Sequence, residues 1–114
     1  MALKDWEKYQ AAVASFDKAT DDEATEINPR FYEAWRERGK ALYWLQRYRE
    51  ALASFDKTIN INPEDSVLYW LRGLLLQELE RYAEAVEAYS KAIDIKPHPF
   101  AYVNRGYVRS DLGD

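Results

Sequence analysis

Apolar residues recur every three or four positions along most of this chain, the period of helices that each bury one face. Leu3, Trp6, Tyr9, Val13 and Phe16 make the first such stripe, and Trp35, Gly39, Leu42 and Leu45 the second. Tyr48, Ala51, Leu52, Phe55 and Ile59 follow, then Tyr69, Gly73, Leu76 and Leu79, then Tyr82, Ala85, Tyr89 and Ala92. Tyr102 and Gly106 open a last one. The pattern predicts six helices. Pro63 and Pro97 close the third and fifth, because proline cannot donate a backbone hydrogen bond and holds the preceding residue extended.

The stripes are copies of one another. Gly73 follows Gly39 by 34 residues, and Tyr82, Ala85, Tyr89 and Pro97 follow Tyr48, Ala51, Phe55 and Pro63 at the same distance. A period of this length marks stacked helical hairpins. Gly106 comes 33 residues after Gly73, so the turn at His98 and Pro99 has lost a residue. Tyr9, Ala12 and Phe16 have the spacing of Tyr48, Ala51 and Phe55, so the chain opens on a second helix without its mate. The predicted order is a lone second helix with an insert over 3–29, repeats over 32–65 and 66–98, and a lone first helix or cap over 99–114. Gly39 is expected opposite Ala51, where two helices approach closely. Five extra residues precede Pro29. They read as Thr20 to Ala24, a solvated insert in which Thr20 and Glu23 have the spacing of a capping box that starts a new helix.

Trp35, Gly39, Leu42, Tyr48, Ala51, Phe55 and Pro63 together resemble the tetratricopeptide repeat. The resemblance implies an all-α fold, a tetratricopeptide-like α-solenoid of antiparallel helix pairs forming a single domain over residues 1–114. It also implies a protein-binding module, in which the first helices of successive repeats line a concave groove for an extended peptide or a partner helix.

Composition removes most other classes. The chain has 114 residues, 47% of them hydrophobic and 32% charged, with a formal net charge of −4. That balance argues against a nucleic-acid surface, which needs clustered positive charge. No apolar run is long enough to cross a membrane, since Arg72 and Gly73 interrupt the nearest. The first ten residues lack the order of a secretory signal and there is no cysteine, so the cytoplasm is the expected location. No cofactor and no metal site are expected, because three adjacent carboxylates without a glycine turn make a poor calcium loop. Nor is catalysis: the one histidine, His98, sits between prolines and reads as a solvated turn residue, with no nucleophile beside it.

The groove can be assigned by register. Arg36, Lys40 and Tyr43 lie one step round the helix from Trp35, and the same places downstream hold Trp70, Leu74 and Gln77, then Val103, Tyr107 and Ser110. Leu71 and Asn104 flank them. Trp70 is the expected anchor, and Leu71 and Leu74 read either as groove or as core between repeats. Family members that clamp the acidic C-termini of chaperones carry a basic and asparagine set across three first helices. Here Leu71 replaces an asparagine, and Phe100 and Asn104 replace the final basic pair, so that clamp is not expected. The expected partner is a protein or peptide with an apolar anchor for Trp70 and Leu74 and an acidic residue for Arg36 and Lys40. Arg38, Arg72 and Arg105 each precede a repeat glycine and are read as structural, their stems on packed helices and their heads on carboxylates. The alternative function is a self-assembling scaffold. Leu3, Trp6, Tyr9, Val13 and Phe16 would then complete a half repeat between chains, in a domain-swapped dimer or a head-to-tail oligomer. The competing reading of that stripe packs it on residues 31 to 45 of its own chain.

Overall fold

The structure, a computed structural model, describes residues 3–22 and 32–113, with side chains for 5–18 and 32–113. Among these residues there are six helices and no strand: α1 (Leu3–Asp22), α2 (Tyr32–Trp44), α3 (Tyr48–Ile61), α4 (Ser66–Glu78), α5 (Tyr82–Ile95) and α6 (Pro99–Asp111). By packing they group into two compact units, Met1–Asn62 and Pro63–Asp114.

In the first unit α2 and α3 form a hairpin around Leu42, Ala51 and Phe55, all fully buried. The repeat glycine works as a socket for a ring. A methyl group on Gly39 would fall 2.6 Å from a ring carbon of Phe55, so the Phe55 ring is what a side chain there would meet first. The turn between the helices is a left-handed cap: Gln46 has φ 62°, its N–H bonds the Tyr43 carbonyl and the Arg47 N–H bonds that of Leu42. These bonds satisfy carbonyls that the end of α2 leaves open. Arg47 then opens α3 with a bidentate grip on Glu50, at 2.9 and 2.6 Å.

Helix α1 packs on α2. Val13 is buried, and Phe16 meets Trp35 edge-on at 4.7 Å between ring centroids. Arg38 fastens the three helices: its Nε donates to Asp17 at 2.7 Å, its Nη1 donates to the buried Ser54 hydroxyl, and its guanidinium lies 5.9 Å from the rings of both Phe16 and Trp35. The structural reading of this arginine is the one the geometry carries. A new helix starting at Thr20 is not what forms, since α1 continues through Thr20 and Asp21 to Asp22. No glycine or proline stands there to stop it. The rest of the insert lies outside the described residues.

The second unit repeats the hairpin in α4 and α5. Tyr89 covers Gly73 still more tightly, Glu80 takes the left-handed cap with φ 59°, and Arg81 grips Glu84. Asp65 caps α4, accepting from the Leu68 N–H at 3.3 Å. Asn62 and Lys96, the residues before the two prolines, are extended, as expected at helix ends forced by proline. Helix α6 packs on α5 through buried Ala101 and Val108. Leu68 and Leu75 are fully buried although they lie off the expected stripe of Tyr69, Gly73, Leu76 and Leu79. A first helix here buries more than one face, so a single stripe understates its core.

Candidate peptide-binding face

The sequence-assigned positions fall into two sets. In the first unit Arg36 and Lys40 occupy one face of α2, each half-exposed, with Glu37 between them: its Oε1 is 3.7 Å from Arg36 Nε and 3.6 Å from Lys40 Nζ. Glu37 offsets part of the charge this face would offer to an acidic ligand. Arg36 also lies over the Tyr32 ring at 5.7 Å. Tyr43 packs edge-on against Trp44 and Tyr48, both at 5.7 Å. Trp44 is 54% exposed, and register does not pick it out, because it falls at the end of α2 where the spacing stops.

In the second unit the positions converge. The Trp70 indole N–H donates to Asn104 Oδ1 at 2.9 Å, joining α4 to α6. Its ring stacks on His98 at 5.1 Å and leans on Phe100 at 5.9 Å. Trp70 is thus half-buried and held on three sides rather than standing alone as an anchor. His98 is no solvated turn residue: its Nδ1 accepts the Ala101 N–H at 3.2 Å and caps α6, with Pro99 at the first helical position, where a missing N–H costs nothing. Its two uses are compatible because the capping nitrogen lies in the ring plane, leaving the ring face for Trp70. Leu71 and Leu74 are half-buried. Gln77 accepts a 2.7 Å bond from the hydroxyl of the core residue Tyr89, which fixes its amide.

Among the described residues the largest apolar exposure is on α6. Phe100, Val103 and Tyr107 are 65%, 54% and 66% exposed, and their spacing puts them on one face of the helix. The core does not use them. Register by analogy with α2 already picks out Val103 and Tyr107, but not how far each is exposed, because it does not show which side chains α5 covers.

The stripe assigned to self-association is divided by the structure. Val13 is inside the first unit, Tyr9 and Phe16 are half-buried, and Trp6 is exposed; the side chain of Leu3 lies outside those described. Two surface carboxyls are perturbed. Hydrogen bonds from Arg47 and Arg81 hold the carboxyls of Glu50 and Glu84 below the ordinary glutamate range.

The comparisons agree with this architecture. The chain resembles solved structures of MamA, among them "MamA 41-end from Desulfovibrio magneticus RS-1", at 26% identity and TM-score 0.82, over 98% of this chain and 61% of that one. It resembles the Arabidopsis OM64 TPR domain at 23% identity and TM-score 0.78, over 91% of this chain and 83% of that one. It also resembles the first TPR of Spaghetti (RPAP3), solved bound to an HSP90 peptide, at 20% identity and TM-score 0.80, over 94% and 82%. The chain spans about three fifths of the MamA chains it matches. A comparison with curated proteins gave no match. The tetratricopeptide repeat family matches residues 32–65 and again residues 67–99, more than half of the chain. The protein belongs to the tetratricopeptide repeat family.

Proposed function

We propose that the protein is a peptide-binding interaction module whose main contact surface is the α6 face of the second unit. The observation that carries this reading is the row Phe100, Val103 and Tyr107: three large apolar side chains, each more than half exposed, beside a tryptophan already fixed in place. An apolar patch of this kind, bordered by polar groups, is the usual mark of an interaction site. Trp70 serves as a rigid floor, since its ring is held by Asn104, His98 and Phe100 and loses little freedom on binding. Asn104 already accepts from Trp70, so its amide NH2 is the group left to donate to a peptide carbonyl. Leu71, Leu74, Gln77 and Tyr107 complete this set.

The ligand that fits is an extended or helical segment with an apolar anchor. In the first unit, Arg36 and Lys40 would suit an acidic residue of a ligand, an assignment that rests on repeat register alone. Family membership supports binding over catalysis, as does the kinship in fold with a domain solved with a bound peptide. The test is a random-peptide selection against the chain, followed by titration of the selected peptide. Val103→Asp, a change at an exposed position, should weaken binding at least tenfold while leaving the helical signal unchanged. Undiminished affinity would reject this face.

A further inference from the structure

We infer that His98 makes peptide binding at the α6 face pH-dependent: neutral, it holds that face in its binding posture, and protonated, it releases it. This regulation rests on the α6 face being the peptide site. His98 is the one histidine of the chain, and histidine is the side chain that ordinarily changes charge between about pH 5 and pH 8. Its ring stands where the parts of the site meet. In the ring plane, Nδ1 accepts the Ala101 N–H at 3.2 Å and caps α6, the helix that carries Phe100, Val103 and Tyr107. The ring face stacks on Trp70 at 5.1 Å between centroids, and Phe100 lies at 5.9 Å. One orientation of the imidazole serves all three contacts.

A proton on Nδ1 ends the cap. An imidazolium has two N–H donors and no acceptor, so Nδ1 would turn a hydrogen toward the Ala101 N–H. Ala101 is fully buried, which keeps water from replacing the lost acceptor. The new positive charge also sits at the N-terminal end of α6, where the helix dipole disfavours a cation. One contact changes in the opposite direction, because the face of Trp70 attracts an imidazolium. That attraction holds the two rings together but gives Ala101 no acceptor, so the first turn of α6, and Phe100 with it, still loses its anchor. The charged residues nearest the ring along the packed elements are Glu64, Asp65 and Arg72 at the start of α4, Asp94 and Lys96 at the end of α5, and Arg105 on α6. Both signs are equally represented among them, so they give the effect no common direction.

The test titrates a selected peptide, free of histidine and acetylated at its amino end, into the wild-type chain and into His98→Asn, between about pH 8 and pH 5.5. Asparagine is a strong helix cap that does not titrate. Wild-type affinity should fall about fivefold as His98 takes up its proton, the loss that goes with one cap. The affinity of His98→Asn, whatever its absolute value, should stay level. By linkage, saturating peptide should lower the proton affinity of His98 by the same factor, followed by NMR through the carbon-bound protons of its ring. A level wild-type affinity overturns the inference, as does an equal fall in both proteins or a His98 titration that peptide leaves unmoved. Val103→Asp separates the two claims. Affinity that this change weakens but pH does not alter sinks the switch alone, whereas affinity indifferent to Val103→Asp removes the binding face and the switch together.

Discussion

Three glycines with near-identical spacing have different surroundings, and this gives the residue scale its clearest prediction. Gly39→Ala drives a methyl group into the buried Phe55 ring. Overpacking of that kind costs about 1–3 kcal/mol, while the better helix propensity of alanine returns up to ~1 kcal/mol. A net loss of about 1–2 kcal/mol is expected by denaturant titration, against a gain of up to ~1 kcal/mol for Gly106→Ala, where only the propensity term acts. Equal effects at the two positions would contradict the packing described above. Spacing alone shows that these glycines matter and not what lies on them. The helical period leaves the rotation of one helix against the next uncertain by tens of degrees, enough to hide that the Phe55 ring lies on Gly39. His98 escapes notice for a similar reason. A residue between two prolines has no periodic pattern to read, and its stacking on Trp70 depends on how α4 and α6 come together.

At the scale of elements, α1 depends on one side chain. Arg38 is bonded to both Asp17 and Ser54 and lies against two aromatic rings, so truncating it leaves a buried hydroxyl with one partner fewer and loosens α1. Arg38→Ala should cost roughly 2 kcal/mol, the range for hydrogen bonds to a charged group, and hydrogen exchange should rise in α1 before α3. Uniform exchange across both helices would argue against this clamp. The starts of α3 and α5 carry the paired Arg47–Glu50 and Arg81–Glu84. A carboxyl held low in the folded state contributes stability above its unfolded pKa. That contribution is lost as pH falls below about 4.5. Glu50→Gln and Glu84→Gln should therefore flatten the loss of stability in acid and change little near neutral pH, since exposed pairs are worth little there. The caps before them offer a gain. Gln46 and Glu80 occupy the left-handed region, and glycine at either should stabilise by about 0.5–1 kcal/mol in thermal unfolding. These devices are not legible in the sequence, because a left-handed glutamine or glutamate carries no signal of the kind glycine would.

For the molecule as a whole, the repeat period is enough to reveal helix number, order and family, since every copy of the pattern reinforces the others. The site is legible only in outline, because function lies where the copies differ. Trp70 stands out as an apolar residue the core does not need, yet its fixed posture and the larger exposure on α6 depend on contacts between helices. The central claim is that this face of α6 receives peptide, and amide-shift mapping tests it most directly. A selected peptide should be titrated into labelled protein while the Trp70 indole N–H and the amides of residues 100–107 are followed. The account predicts that these signals move together and saturate, with the outward face of α5 unaffected. Shifts on α5 with the Trp70 indole and α6 unchanged would contradict it.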